Sequence, residues 1–350
     1  MRFSHESLSQ TVVFATGEAH RAVADEVAAL GVSKVMVIAS EREAALADRI
    51  VAQLPVVRRH TEVVMHVPVE VADRARAAAA AAGADVLVSV GGGSTTGLAK
   101  AVALTSGLPI VAIPTTYAGS EATNVWGLTD GDRKTTGIDN RVLPASIVYD
   151  AELLTTLPAE MAVASGLNAL AHCVDAMWGP RVDPIDQVFA VEGIRALAAG
   201  LPAVAQDPSG VPGVEETLYG AYLAAVAFAS AGSGMHHKIC HVLGGMFNLP
   251  HAQTHAIVLP YVLAFNAPNA AAQERRIAHA FGAESATEGL ATLRRAVGAP
   301  SALRDIGMPE EGIAQAMDPV LRAVPAGNPT PVAPENLIAL LRAAWAGDPL

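Results

Sequence analysis

The sequence predicts an α/β fold: an N-terminal doubly wound parallel-sheet (Rossmann-like) domain followed by an all-helical C-terminal domain. In the first part of the chain, short runs of β-branched residues alternate with alanine-rich helical stretches, which is typical of βαβ units. From about Leu153 these runs disappear and Ala/Leu helical periodicity continues to the end. The 350 residues also exceed the usual size of a single core. We therefore predict an α/β domain over residues 1–152 and a helical domain over residues 153–350.

The predicted sheet is built from apolar runs that read as buried strands. We predict strands at residues 34–39, 63–67, 86–90, 110–113 and 147–149, with helices at 19–30, 41–53, 71–82 and 96–104. Residues 130–136 predict a hairpin or loop that carries Lys134. Because ligands of such sheets bind at the carboxyl ends of the strands, the segments that follow the strands are the first candidates for a site.

The composition excludes several classes of partner and site. The net charge is −11 and no basic run is present, so we expect neither a nucleic acid nor a membrane as partner. Cys173 and Cys240 form no Cys-x-x-Cys motif, which excludes zinc-ribbon and thioredoxin-like sites. The N-terminal segment lacks the apolar stretch of a secretory signal. We expect a soluble, cytoplasmic protein.

A glycine-rich turn follows the strand at 86–90 directly. Its residues, 91–97, are Gly-Gly-Gly-Ser-Thr-Thr-Gly. Glycines allow the backbone to approach a phosphate, and the N–H groups of a following helix bind the anion. The turn matches neither G-x-G-x-x-G nor the Walker A motif, because Thr96 and Leu98 stand where glycine and lysine are needed. A plain tight turn between strand and helix would explain the same residues.

Small and hydroxyl side chains also follow the next predicted strand. Residues 114–121 are Pro-Thr-Thr-Tyr-Ala-Gly-Ser-Glu. Polar groups at the ends of two neighbouring strands suit a cofactor that lies across the edge of the sheet.

Histidine is concentrated in one stretch of the helical part. Residues 233–260 contain five of the eleven histidines, namely His236, His237, His241, His251 and His255. His237 and His241, and again His251 and His255, are four residues apart, and the same spacing separates Asn168 from His172. Residues at this spacing share a helix face, so we expect the imidazoles to converge. Core histidines that line up by chance are the alternative.

In combination, these motifs resemble one known family. Gly-Gly-Gly-Ser at 91–94, Pro-Thr-Thr-x-x-Gly-Ser-Glu at 114–121, Leu-Leu-Thr-Thr-Leu-Pro at 153–158 and the two histidine helices occur in the order typical of the iron-containing alcohol dehydrogenase family. The resemblance covers nearly the whole chain. It implies an NAD(P)H-dependent oxidoreductase and a homodimer. It also implies a dinucleotide-binding N-terminal domain, a helical catalytic domain and an active site in the cleft between them.

The resemblance assigns roles to individual residues. The pyrophosphate of the cofactor would bind at Gly92, Gly93 and Ser94, and its nicotinamide side would be lined by Thr115, Thr116 and Ser120. Lys134 would reach the cofactor ribose, Leu157 would lie near the adenine, and His241 would lie close to the nicotinamide. In the metal-dependent members an Asp and three His bind the cation, and their places in this chain are taken by Asn168, His172, His237 and His251.

Asn168 departs from that pattern, because an amide replaces an anionic ligand and weakens any metal site. This departure resembles the branch that contains the maleylacetate reductases, which is regarded as working without a metal and reduces the C=C bond of maleylacetate to 3-oxoadipate in aromatic degradation. We therefore expect no metal and a small dianionic substrate. We predict a cationic, hydrogen-bonding pocket for that substrate, formed by Asn168, His172, His236, His237, His251 and His255.

The predicted chemistry is hydride transfer to the alkene carbon β to the ketone. The enolate oxygen that develops would be stabilised by imidazole N–H groups, a task that a metal performs in the alcohol dehydrogenases. We expect His241 or Tyr117 to protonate the neighbouring carbon. The predicted catalytic residues are His172, His237, His241, His251 and Tyr117.

Ser40 stands at the end of the strand at 34–39, where NAD-specific members carry an Asp. Without that carboxylate a 2′-phosphate is not repelled, and Arg42 could pair with it, so we expect use of both NADH and NADPH. A helix N-cap at Ser40 is equally compatible with the sequence.

Three other functions remain as alternatives. A metal-dependent alcohol dehydrogenase of the same family differs at Asn168. A dehydroquinate-synthase-like lyase would need many phosphate-binding Lys and Arg side chains, whereas the histidine stretch contains only Lys238. A ligand-binding protein without activity would have no reason to keep both the glycine turn and the histidines.

Overall fold

The computed structural model describes residues 2–131 and 133–349, and only the backbone of Arg133 and Lys134. The chain divides into two compact units. One comprises Leu8–Leu157, and the other joins Met1–Ser7 to Pro158–Leu350. The predicted division after residue 152 therefore lies a few residues before the observed one, and the first seven residues belong with the helical unit.

The unit Leu8–Leu157 contains a six-stranded, fully parallel sheet and a separate antiparallel hairpin. Its strands are β1 Thr11–Phe14, β2 Val35–Ile38, β3 Val56–His60, β4 Val86–Gly91, β5 Ile110–Pro114, β6 Val125–Asp130, β7 Arg133–Ile138 and β8 Ser146–Tyr149. Its helices are α1 Ala19–Ala29, α2 Ala44–Ile50, α3 Val69–Ala82 and α4 Gly93–Ser106. Two apolar clusters cover the sheet, which confirms the predicted doubly wound architecture.

The strand order of the sheet, β1-β8-β5-β4-β2-β3, places a switch point beside the glycine-rich turn. From β2 the chain continues outward to β3, whereas from β4 it continues in the opposite direction to β5. The carboxyl ends of β2 and β4 therefore flank the crevice in which ligands of doubly wound sheets bind. Ser40 and the turn at 91–97 follow these two strands.

The predicted strand at 63–67 is wrong. His66 and Val67 have φ of 65° and 49°, so the backbone turns there, and α3 begins at Val69. Thr129 of β6 holds this turn, since its N–H bonds to the carbonyl of Val67 and its hydroxyl to that of His66. The strand of this region is β3, which was not predicted because its centre, Val57 to Arg59, is exposed and charged at the sheet edge. The strand β1 was also missed.

The described residues of the second unit form helices and loops and contain no strand, as predicted. Its helices are α5 Ala159–Ala176, α6 Pro184–Gln206, α7 Val211–Ala231, α8 Met235–Phe247, α9 His251–Asn266, α10 Ala271–Phe281, α11 Ala286–Ala296, α12 Gly312–Ala323 and α13 Pro334–Ala346. The helices α5, α6 and α7 pack against one another, and α5 and α8 also pack against α9. Helices α5, α8 and α9 carry Asn168 and six histidines.

The helix α6 is long and apolar enough to cross a bilayer, and α7 with α8 would pass the same test only as one span bent by 96°. Core helices of soluble proteins meet these criteria as well. The N-terminus of α6 is closed by a capping box in which Asp183 and Asp186 are both buried, and α6 packs against α5, α7 and α10. We interpret α6 as a core helix.

An arginine supports the helix that carries His251 and His255. Pro260 lies inside α9, and because proline has no N–H the carbonyl of Ala256 lacks its partner four residues on. The guanidinium of Arg294, on α11, donates to this carbonyl and, over 2.8 Å, to that of Pro300. The proline is therefore tolerated without an unpaired buried carbonyl.

Candidate active site

The switch point of the sheet brings predicted cofactor residues together around a carboxylate that was not predicted. Ser40, after β2, donates to Glu43 Oε2 over 2.8 Å, and Thr115, after β5, donates to Glu43 Oε1 over 2.8 Å. Glu43 thus joins the ends of two strands that are not adjacent in sequence. Its only local signal was Ser40 three residues earlier, the spacing of a side-chain turn.

The glycine-rich turn can take no side chain at its first position. Gly91 has φ of 151°, and a Cβ there would lie 2.4 Å from Thr95 Oγ1 and 2.7 Å from Glu43 Oε2. A Cβ on Gly92 would lie 3.0 Å from the Thr116 methyl group. Since α4 begins at Gly93, the N–H groups of Gly93 and Ser94 have no intrahelical acceptor. The turn is a cradle suited to a cofactor pyrophosphate.

The other residues of this unit that were predicted to bind the cofactor or substrate lie outside the group around Glu43. Ser120 begins a short 3-10 turn, Ser120–Ala122. Tyr117 is buried, and burial raises the pKa of its phenol, which stays protonated at neutral pH. Leu157 is partly buried at the end of the unit. Lys134 belongs to β7, and its side chain lies outside the described part of the structure.

In the helical unit the histidines form one continuous group around His237. The ring centroid of His237 lies 4.8 Å from that of His172, 5.0 Å from His236, 6.0 Å from His241 and 4.6 Å from His255. His251 joins through His255, with centroids 4.3 Å apart. Phe228 of α7 packs on His237 at 4.2 Å. The three helices thus gather all six imidazoles.

Burial divides this histidine cluster into a deep part and an exposed part. His236, His237 and His255 are fully buried, His172 and Asn168 are nearly so, and His241 and His251 are exposed. Several deep polar atoms have no hydrogen-bond partner within the described protein: Asn168 Oδ1, His172 Nδ1, His237 Nε2 and both ring nitrogens of His255. Unpaired buried polar atoms are costly, so this part of the cluster is suited to bind a polar ligand.

Asp175 is a further residue of the site, and it was not predicted from the sequence. Its Oδ2 lies 2.8 Å from His237 Nδ1, and its carboxylate accepts the N–H groups of Gly234, His236 and His237 at the start of α8. Burial raises the pKa of Asp175 to about 7, and these N–H groups lower it. A helix N-terminus favours the anion. Asp175 follows His172 by three residues, so the shared helix face was a usable signal.

The predicted cationic pocket is wrong for the deep histidines. Burial lowers the pKa of His172 to about 3 and that of His236 to about 4, and it lowers the pKa values of His237 and His255 well below 6.5. These four rings are neutral at pH 7. The deep part of the cluster is therefore a hydrogen-bonding environment, and spacing alone did not reveal its charge.

Neutral rings differ in what they can donate. His236 Nε2 lies 3.1 Å from the carbonyl of His255 and must carry its proton, so Nδ1 is left as an acceptor. His237 donates through Nδ1 to Asp175, so its Nε2 presents a lone pair. His255 keeps its N–H for a ligand, because neither of its ring nitrogens has a partner in the described protein, and His172 Nδ1 is likewise unpaired.

The residues at the four metal-ligand positions of the family, Asn168, His172, His237 and His251, are poorly arranged for a cation. Asn168, His172 and His237 provide no negative charge, and the rings of His172 and His237 lie only 24° from parallel with their centroids 4.8 Å apart. Lone pairs in two near-parallel, separated planes do not converge on one ion. Nitrogens of His236, His237 and His255 also lie within 4.8 Å of one another, and His236 and His237 each keep one ring nitrogen as a lone pair beside the one used in a hydrogen bond. With an amide in place of the carboxylate, the residues present are a weaker site for the metal of the metal-dependent members.

A second group of possible ligands lies at the start of α6. His5 Nδ1 is 2.8 Å from Asp183 Oδ2 and 3.7 Å from Asp186 Oδ1. The other oxygens of both aspartates are used in the capping box. The group is explained by a hydrogen bond between His5 and Asp183 that ties the N-terminal segment to α6.

Comparison with known proteins identifies the family of this chain. The model for iron-containing alcohol dehydrogenases matches residues 9–151, and that for the C-terminal part of the Fe-containing alcohol dehydrogenase family matches residues 162–345. The chain belongs to the iron-containing alcohol dehydrogenase family. Maleylacetate reductase of Sphingobium indicum is 43% identical, over 100% of this chain and 99% of the relative.

Solved structures of the iron-containing alcohol dehydrogenase family agree. The iron-containing alcohol dehydrogenase of Corynebacterium glutamicum is 60% identical with a TM-score of 0.98, covering 100% of this chain and 98% of that one. Maleylacetate reductase from Agrobacterium tumefaciens is 37% identical with a TM-score of 0.94, covering 99% of both chains. The predicted family, the likeness to its maleylacetate reductases and the enzyme class, an oxidoreductase with a nicotinamide cofactor, are confirmed.

Proposed function

We propose that this enzyme reduces the carbon–carbon double bond of maleylacetate to give 3-oxoadipate in the degradation of aromatic compounds, without a bound metal. The observation that carries the proposal is Asn168, buried among neutral histidines where metal-dependent members have a carboxylate. An amide can donate to a substrate carboxylate, which a second carboxylate would repel. Relatives of the same length named maleylacetate reductase support the substrate.

The residues of the cluster divide the chemistry among them. A bound nicotinamide cofactor would supply a hydride to the alkene carbon β to the ketone. The electron pair of the double bond shifts to the bond between the α carbon and the ketone carbon, the π pair of the ketone moves onto its oxygen, and an N–H of His172 or His255 stabilises this enolate. His241, in the exposed part of the cluster, delivers the proton to the neighbouring carbon, with Tyr117 as the alternative donor. Asn168, His251 and the remaining imidazoles bind the two carboxylates.

The function is tested by NADH oxidation with maleylacetate, using protein treated with EDTA and checked for metal by elemental analysis. We expect full turnover without metal, because imidazole donors take the place of a Lewis acid. The matched control is the same protein after addition of Zn²⁺ or Fe²⁺, which should not raise the rate. Turnover that appears only after metal addition would contradict the metal-free proposal.

One observation favours a second candidate, a metal-dependent alcohol dehydrogenase. Asp175 presents the Nε2 lone pair of His237, and a carboxylate behind a histidine is typical of metal ligands. Oxidation of simple alcohols by the metal-loaded protein, with no turnover of maleylacetate, would establish this candidate instead.

Cofactor choice depends on Glu43 in this proposal. We propose that both NADH and NADPH serve, and that the Glu43 carboxylate limits NADPH by repelling its 2′-phosphate. Glu43→Gln removes the charge but keeps a hydrogen-bond partner for both hydroxyls, because its amide oxygen accepts from one of Ser40 and Thr115 and its NH₂ donates to the other. We expect the ratio of kcat/KM for NADPH to that for NADH to rise about tenfold. The control is Glu41→Gln at an exposed neighbouring position.

Two outcomes would contradict these proposals. An unchanged ratio in Glu43→Gln would contradict the role of Glu43. A preference for NADH above about a hundredfold in the unsubstituted enzyme would contradict the use of both cofactors.

We further propose a cytoplasmic homodimer that acts on a small dianionic substrate and binds neither nucleic acid nor membranes. The net charge of −11 supports the absence of polyanionic partners.

A further inference from the structure

A lysine that plays no part in the proposed reaction is completely buried in the α/β unit. Lys100 lies on α4, whose first residues form the glycine cradle, and its side chain has no exposed surface. Its Nζ lies 2.6 Å from the carbonyl of Ser120, 2.8 Å from that of Thr123 and 2.9 Å from that of Val125. Thr123 Oγ1 is a fourth neighbour at 3.0 Å.

This geometry matches a charged ammonium group. Three N–H bonds meet three carbonyl oxygens, and a neutral amine would leave one carbonyl without a donor. Burial lowers the pKa of Lys100 to about 7, and the buried carboxylate of Glu121 opposes that shift. Glu121 is itself held, since Tyr149 donates to its Oε1 over 2.8 Å and Gln10 donates to its carbonyl over 2.9 Å.

The three carbonyls belong to the connection between β5 and β6, from its 3-10 turn to the first residue of β6. Residues 120–125 leave the sheet after β5, pass through a single 3-10 turn and enter β6. Buried carbonyls in such a segment need a donor, and Lys100 supplies one for each of three positions. Without it the carbonyls of Thr123 and Val125 would lose this donor, while that of Ser120 would keep only the N–H and hydroxyl of Thr123, so the segment would have to rearrange.

We propose that Lys100 is a positioning residue for the nicotinamide half of the cofactor. It holds the segment 120–125, with Ser120 at its start, at a set distance from the phosphate cradle at the N-terminus of the same helix. The helix α4 then acts as a rigid spacer between the two halves of the binding site. This inference rests on the proposed use of a nicotinamide cofactor.

Binding experiments separate this role from a general effect on stability. Lys100→Met keeps the length and apolar stem of the side chain and removes the donors. We expect the Kd of NADH, measured by calorimetry, to rise about tenfold or more. ADP-ribose, which lacks the nicotinamide, should bind the variant within about twofold of the unsubstituted enzyme. The matched control is Lys34→Met at an exposed lysine, which should leave both Kd values unchanged.

A second variant keeps the test decisive if Lys100→Met does not fold. Thr123→Val removes only the hydroxyl that contacts Nζ and the carbonyl of Ser120. We expect it to weaken NADH about threefold without weakening ADP-ribose. Equal weakening of both ligands, or no change for NADH in folded variants, would overturn the role of Lys100. An unsubstituted enzyme that binds no NADH would instead contradict the nicotinamide cofactor itself.

Discussion

Replacing Asp175 with Asn is expected to lower kcat about 100-fold while the Kd of NADH stays unchanged. The Asp175 carboxylate accepts from His237 Nδ1 over 2.8 Å and so fixes the ring in the tautomer with a lone pair at Nε2. An Asn amide can present its NH₂ group to Nδ1 and reverse that tautomer. His237 lies at the centre of the cluster, with four other imidazoles packed against it, so its ring state affects every neighbour.

The experiment on Asp175 needs a control for folding, because the same carboxylate accepts three N–H groups at the start of α8. These N–H groups reach both oxygens of Asp175, whereas Asn has one acceptor oxygen, so we expect a loss of about 1–3 kcal/mol in the free energy of unfolding. Asp207→Asn, at an exposed cap, is the matched substitution. A fall in stability with kcat unchanged would show that Asp175 is only a helix cap and would contradict its effect on His237.

Much of the fold was accessible from local patterns. Alternating β-branched and alanine-rich segments predicted the parallel sheet, because buried parallel strands read as continuous apolar runs. The edge strand β3 escaped this rule, since Arg58 and Arg59 are exposed there. The apolar run at 63–67 misled in the opposite direction, because its turn at His66 and Val67 is held by Thr129, far away in sequence. An apolar run therefore indicates burial, but it does not by itself distinguish a buried strand from a buried turn.

The candidate site also combines features that local sequence patterns predict with features that only the folded chain shows. Spacing of four residues sufficed to predict that the histidines of each helix share a face, because helix periodicity is local. Asp175 and His237, Glu43 and Thr115, and Lys100 and Thr123 are pairs that only the folded chain brings together. The neutral state of the deep histidines was mispredicted for a related reason, since their pKa values follow from burial by three helices.

The Asn168→Asp substitution is expected to lower kcat/KM for maleylacetate about 100-fold and to create affinity for Zn²⁺ or Fe²⁺. Asn168 is buried, and its Oδ1 has no partner in the described protein. A carboxylate there would repel a dianionic substrate and its enolate, and two unit charges about 4 Å apart cost about 4 kcal/mol at an effective dielectric constant of 20. The same charge would supply the anionic ligand that a cation needs, although the near-parallel rings of His172 and His237 must still turn.

The control for Asn168→Asp is Asn168→Leu, which removes the amide without adding charge. We expect Leu to lower kcat/KM less than Asp and to give no metal affinity, so that the difference between the two variants isolates the charge. The measurements are metal binding by competition with a chelator, NADH oxidation with maleylacetate, and NAD⁺ reduction with simple alcohols. If the Asp variant oxidised alcohols with added metal and still reduced maleylacetate at the original rate, then Asn168 would not be what separates the two chemistries. The imidazoles would have to serve both reactions unchanged, and the neutral amide of Asn168 would have no role in selecting the substrate.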